Sequence, residues 1–244
     1  EAGQIGRVLV HPEDPDLALP LCDAPAGAQR GFYVLEIGLY PSWNLVSGSA
    51  MPFQGAIETV QRSIVGAYTV ILGFDQGALS YYPHLPPQLN TLKTIDGEHG
   101  YWIKVEGVGG LTVQGALEEE PDDDPVTALA LVGDRLPADH PLPLDAGWNL
   151  VSYLPDGAMP VTRALSSIDG LYTAVLGFEE GARSYYPDLG AAYNTLELMR
   201  PGYGYWIQMR QPATLVYSVT RGYTATAVTG GSAWWDRIAV PSEE

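Results

Sequence analysis

The groups of this 244-residue chain able to carry acid–base, nucleophilic or metal chemistry are four histidines, one cysteine and 29 acidic side chains. His11, His84, His99 and His140 stand far apart, and no HExxH or Ser/His/Asp arrangement is visible around them. Neither a zinc hydrolase nor a nucleophilic triad is spelled. Cys22 is alone, so it forms no internal disulfide and no thiolate metal cluster; no role follows for it. The densest acidic run, Glu118–Asp124, offers the hard oxygen ligands that calcium prefers. It lacks the D-x-[DN]-x-[DN]-G spacing, and it reads as a solvated linker. The expectation is a non-catalytic protein without a metal site or cofactor.

Aromatic residues carry a more specific signal. The tetrapeptide Ser-Tyr-Tyr-Pro occurs at Ser80–Pro83 and again at Ser184–Pro187. Tyr82 and Tyr186, each just before the proline, are expected to stand half exposed, where flat apolar rings could stack on sugars. Trp43, Trp102, Trp148 and Trp206 lie inside strand-like motifs, and for them the expectation is core packing. Asn90 and Asn194, in Asn-Thr-Leu, are expected to hold a loop through their side-chain amides.

These motifs belong to a duplication. Shifted by 104 positions, Tyr68–Ile103 and Tyr172–Ile207 share 19 of 36 residues, including Leu-Gly-Phe, Asn-Thr-Leu and Gly-Tyr-Trp-Ile. Upstream, Trp43–Ser47 recurs as Trp148–Ser152, and Met51-Pro52 as Met159-Pro160. A weaker echo links Arg7–Asp16 to Leu129–Asp139. The chain divides accordingly into a first repeat module over 1–115, an acidic, Pro-containing linker over 116–125, a second module over 126–220, and a tail over 221–244 without counterpart.

Short runs rich in β-branched and aromatic residues dominate both copies. Tyr68–Phe74, Gly100–Val105, Leu111–Gly115, Thr127–Gly133, Tyr172–Phe178, Tyr205–Met209 and Thr214–Val219 all read as strands bounded by Gly, Pro or Asp. The Gly-Phe-Asp-Gln-Gly-Ala and Gly-Phe-Glu-Glu-Gly-Ala segments read as hairpin turns. One short helix per copy is expected, over Gln54–Ile64 and Val161–Ile168, each ending before a glycine, Gly66 or Gly170. The fold class is therefore mainly β, a β-rich α+β chain of two tandem, duplicated sandwich-like or barrel-like modules.

Composition narrows the function. Twelve basic against 29 acidic side chains give a net charge of −17, which repels nucleic acid and anionic lipid surfaces alike. No apolar run approaches the roughly 18–20 residues that span a bilayer, so membrane insertion is not expected. A chain that begins at Glu1 without an initiator Met, with one thiol and little lysine, fits a processed extracellular or cell-surface protein.

With Gly147, Trp148, Asn149 and Leu150 opening the second copy and Tyr205, Trp206 and Ile207 closing it, the sequence resembles a module of large secreted and surface-anchored proteins of bacteria and archaea. That module is written as a GWNLIS-P opening and a GYWIKM close followed by a short strand. The likeness covers about 75 residues per copy. Copy one departs at Ser42, where the module's glycine would precede Trp43, and the turn there is expected to be relaxed. The resemblance implies an adhesive or architectural extracellular role and supplies no catalytic residues.

The tail adds a possible device for association. Trp234, Trp235, Ile238 and Val240 form an apolar cluster where a chain end is ordinarily polar. Such a segment either docks on its own modules or adds a strand to a neighbouring subunit, with main-chain bonds giving affinity and aromatic anchors giving register. The expected partners are further copies of the chain in a surface layer or filament, or other surface proteins. The alternative is a carbohydrate-binding protein with an aromatic site in each repeat, at Tyr82 and Tyr186.

Overall fold

The computed structural model describes residues 4–9, 32–106, 125–179 and 181–218. The chain is mainly β, as its strand motifs require, and its helices are single turns. The first half runs β1 (Gln4–Leu9), β2 (Phe32–Leu39), β3 (Ser42–Ser47), β4 (Ala50–Pro52), β5 (Tyr68–Phe74), β6 (Ala78–Tyr81) and β7 (Gly100–Val105), and then reaches β8 (Thr127–Arg135). Two four-stranded antiparallel sheets result, β1-β2-β8-β4 and β3-β7-β5-β6. They enclose one core: Leu35, Ile37 and Leu39 from β2 and Leu129 and Leu131 from β8 meet Val46, Ile71, Tyr101 and Ile103 from the second sheet. Burial at every second residue is what a strand with one covered face demands, and each such aliphatic chain contributes on the order of 1.5–3 kcal/mol.

The second half repeats part of this plan. It runs β9 (Leu142–Leu144), β10 (Gly147–Ser152), β11 (Met159–Pro160), β12 (Tyr172–Phe178), β13 (Ala182–Tyr185), β14 (Leu198–Met199), β15 (Gly204–Met209) and β16 (Ala213–Leu215). The sheet β10-β15-β12-β13 has the order of β3-β7-β5-β6. Both carry a register irregularity at the same place, between Tyr68 and Val70 and between Tyr172 and Ala174. Over this sheet lie the two-stranded ribbons β9-β16 and β11-β14. Leu142, Leu144, Leu215, Val175, Tyr205 and Ile207 share the second core with the buried tyrosines Tyr153, Tyr172 and Tyr217.

Strand β8 lies on the first side of the molecule, although the repeat places residues from 126 onward in the second copy. Its register sets Leu131 against Leu35 and Leu129 against Ile37, and both of its leucines are buried in the first core. The physical reason is geometric: β2 has β1 on one edge and needs a partner on the other, and the alternating leucines of β8 present the matching apolar face. The segment that leads from one core to the other is therefore the stretch between Arg135 and Leu142, while 107–124 lies outside the described residues.

Each copy has its helical turn at the expected place. The first is α1 (Ile57–Val60), continued as a 3-10 turn to Ile64; the second is α2 (Val161–Ala164), followed by a 3-10 turn over Ser166–Ile168. The glycines behind them do not cap the helix directly. Val65 (φ −54°, ψ 130°) and Gly66 (φ 82°) form the centre of a turn closed by Ala67 N–H donating to Ile64 O at 3.0 Å. Asp169, Gly170 (φ 74°) and the Leu171 N–H to Ile168 O bond repeat it. These are type II turns, whose third residue must take positive φ.

Candidate functional site

The side chains that face away from the two cores define the site. Because a strand sends alternate side chains to opposite faces, burial of Tyr101, Ile103 and Val105 in the first core turns Gly100, Trp102 and Lys104 outward from it. In β15, burial of Tyr205, Ile207 and Met209 does the same for Gly204, Trp206 and Gln208. The tryptophans consequently fill neither core, contrary to the packing expected of them. Trp43 and Trp148 are 36% and 37% exposed, and Trp102 and Trp206 are half-buried between the modules. Each pair crosses at right angles, Trp43 with Trp102 at 6.0 Å and Trp148 with Trp206 at 6.2 Å between centroids.

The outer faces of the two sheets pack on each other about a pseudo-twofold axis. Phe74 of the first module meets Trp206 of the second edge-on at 4.9 Å, and Phe178 of the second meets Trp102 of the first at 5.1 Å. Val46 forms an isolated antiparallel bridge with Tyr203, and Val151 forms one with His99. Ser47 N–H donates to Gly202 O at 3.0 Å, and Ser152 N–H to Glu98 O at 2.9 Å. The same serines use their hydroxyls in parallel, Ser47 Oγ donating to Tyr203 O at 2.6 Å and Ser152 Oγ to His99 O at 2.8 Å. Each of these contacts has its mate under the repeat offset, the signature of an isologous interface, here formed within one chain; Tyr153 N–H adds an unmirrored bond to Ser47 Oγ at 3.1 Å.

Local turns hold these faces in place. In both copies the asparagine of Trp-Asn-Leu-Val-Ser clamps the turn before it: Asn44 accepts from Tyr40 N–H at 2.9 Å and donates to Tyr40 O at 2.8 Å, and Asn149 does the same to Asp145 at 2.9 and 2.8 Å. Gly147 takes φ 94°, and Ser42 takes φ 84°. The turn at Ser42 is therefore not relaxed by the loss of glycine; the serine is forced into the left-handed region. The buried phenols of Tyr101 and Tyr205 accept from Asp96 N–H at 3.0 Å and Arg200 N–H at 2.7 Å. Burial pushes both phenols far above the ordinary tyrosine range, so they stay neutral and act as fixed hydrogen-bonding posts.

At one side of the junction the two modules leave a groove of about 420 Å³. Leu45 and Trp102 of the first module and Leu176, Phe178, Ser184, Tyr186 and Trp206 of the second are among its lining residues. Tyr186 is positioned by Asn194, whose Oδ1 accepts from Tyr186 N–H at 2.8 Å. Asn90 holds Tyr82 through two bonds, accepting from its N–H at 2.8 Å and donating to its carbonyl at 3.1 Å. This is the loop-holding role expected of both asparagines. Tyr82 does not line the groove; its ring stands edge-on to His84 at 5.9 Å.

A second opening, also about 420 Å³, has a different character: Asp75, Glu98, His99, Asp145, Trp148 and Asn149 are among its lining residues. His99 Nδ1 lies 2.9 Å from Asp96 Oδ1, and His140 Nε2 lies 2.9 Å from Glu98 Oε1. Hydrogen bonding to Asp96 raises the His99 imidazole above its ordinary value against the effect of burial, with the charges of Asp96, Asp75 and Glu98 adding to the rise. Burial would push the Asp96 carboxyl up, but the His99 hydrogen bond and charge and the Glu98 and His99 N–H groups outweigh it and leave Asp96 lowered. The two imidazoles tie the 96–99 loop to itself and to the segment between the cores. In the second copy His99 is replaced by Tyr203 and Glu98 by Gly202.

The structure therefore places only part of what the motifs single out. Tyr186 reaches a groove, and it is joined there by Phe178 and by Trp102 and Trp206, the two tryptophans that the motifs assign to packing. The signal that finds them is the pleat itself, since Trp102 is flanked by Tyr101 and Ile103 and cannot share their face. Trp234, Trp235, Ile238 and Val240, Glu118–Asp124 and Cys22 lie outside the described residues. No family model, curated protein or solved structure matches the chain.

Proposed function

We propose that the chain is a non-catalytic extracellular structural protein, an assembly subunit of a cell-surface layer or filament. The observation that carries this reading is the pseudo-twofold junction. Each module offers an outer sheet face that is complementary to its own duplicate, with Leu45, Phe74, Gly100 and Trp102 answered by Leu150, Phe178, Gly204 and Trp206. A chain built by pressing like faces together is suited to bearing shape and making contacts. The acidic, thiol-poor composition and the likeness of its motifs to surface modules support an extracellular setting. Assembly proceeds in this reading through β-strand contacts and the apolar tail over 221–244.

The test is direct. Light scattering and negative-stain electron microscopy of the full chain over rising concentration should show defined polymers, and removal of Gly231–Glu244 should leave single particles. A full chain that stays a monodisperse monomer throughout overturns the proposal.

A further inference from the structure

We infer that the junction groove is a binding site for a neutral oligosaccharide, seated by its pyranose rings on Trp102, Trp206 and Tyr186. Sugar rings expose flat patches of C–H between their hydroxyls, and aromatic faces supply the flat apolar area that covers such patches. A usable site also needs a few polar groups beside the apolar floor and a volume in the range of roughly 300–1,000 Å³. The groove has both: Arg183, Ser184 and Tyr186 supply polar groups beside a floor of Leu45, Leu176, Phe178 and the two tryptophans, and it encloses about 420 Å³.

Charge selects among sugars. The chain carries 29 acidic side chains and a net charge of −17, yet among the described residues no carboxylate lines this groove. Asp75, Glu98 and Asp145 are all on the other opening. Polyanionic glycans are repelled by the molecule as a whole, while an uncharged chain escapes that repulsion and meets apolar rings, hydroxyls and the Arg183 guanidinium, a hydrogen-bond donor. The site is also composite. Trp102 comes from the first module and Tyr186 and Trp206 from the second, so the groove exists only while the modules are docked. It differs in this from a separate aromatic site in each repeat.

This inference is independent of the assembly proposal, because it needs one chain and no polymer. Calorimetry and tryptophan fluorescence are recorded on the full chain against neutral hexasaccharides of β-1,4-linked glucose and of β-1,4-linked N-acetylglucosamine, and of α-linked mannose, with polygalacturonate as the charged comparison. The expected result is saturable binding of at least one neutral hexasaccharide with a shift in tryptophan emission and no binding of polygalacturonate. Tyr186→Ala should weaken binding about two- to tenfold, since an aromatic contact is worth about 0.5–1.5 kcal/mol. Ala182→Arg fills the groove from an exposed position on β13 and should abolish binding while thermal unfolding stays as in the parent. Tyr82→Ala should leave affinity unchanged. Silence from every neutral hexasaccharide overturns the inference, and so does binding that survives both Tyr186→Ala and Ala182→Arg or that Tyr82→Ala removes.

Discussion

Gly100 and Gly204 meet at the pseudo-twofold axis. A Cβ added to either would lie 3.2 Å from the Cα of the other. No side chain separates the two strands at this point, so the modules approach through bare backbone, and Leu150 and Leu45 close over the contact on opposite sides. The Gly-Tyr-Trp-Ile motif thus does three things in three residues: its glycine admits the other module, its tyrosine posts a neutral hydroxyl in the core, and its tryptophan joins the junction.

Substitution at the axis should loosen the junction, and unequally. A Cβ at Gly204 would also sit 3.0 Å from Val46 O, a backbone atom that cannot turn aside. At Gly100 the tightest neighbour is Leu150 Cδ1 at 3.0 Å, a side chain that can move. Gly204→Ala should cost about 1–3 kcal/mol by overpacking, and Gly100→Ala less. Thermal unfolding of the two variants against the parent checks this; equal stability for Gly204→Ala and the parent would show that the junction yields.

Ser42 holds a conformation that glycine takes without cost. At φ 84° an L-residue is penalised by about 1–2 kcal/mol, and the Asn44 clamp on Tyr40 keeps it there. Ser42→Gly should stabilise the chain by about 1 kcal/mol, raising the midpoint by about 2–4 °C for a protein of this size. Gly147→Ser, the reverse change at φ 94°, should lower it by a similar amount. Opposite signs in urea titrations support the shared turn, whereas like signs refute it.

The His99–Asp96 pair predicts how stability depends on pH. His99 is raised above 6.5, so its contribution is complete below 6.5 and is lost as pH rises through the raised value. Asp96 is lowered below 3.8, so its contribution is present above 3.8 and is lost as pH falls through the lowered value. The pair is strongest between the two ordinary values. Melting temperatures of the parent and His99→Gln, compared across pH, should differ most in that window and converge toward alkaline pH. A constant difference at every pH would remove His99 as the cause, with His140 and Glu98 unchanged in both proteins.

The sequence alone settled what depends on local pattern. Duplication, strand-rich modules, the paired hairpins and the loops held by Asn90 and Asn194 are written in residue type and spacing, because turns need Gly or Asn at fixed places and strands need a period of two. Phe32–Leu39 is a strand that the repeat does not announce, since its counterpart is reduced to Leu142–Leu144. Three matters were decided only in three dimensions. Strand β8 joined the first core because the free edge of β2 lay there, which no repeat offset encodes. Ser42 kept the glycine turn because the Asn44 clamp on Tyr40 and the strand pairing that starts at Ser42 overruled its intrinsic preference. The tryptophans became a junction and a groove because each sheet has two faces, and only the second module supplies the partner for the outer one.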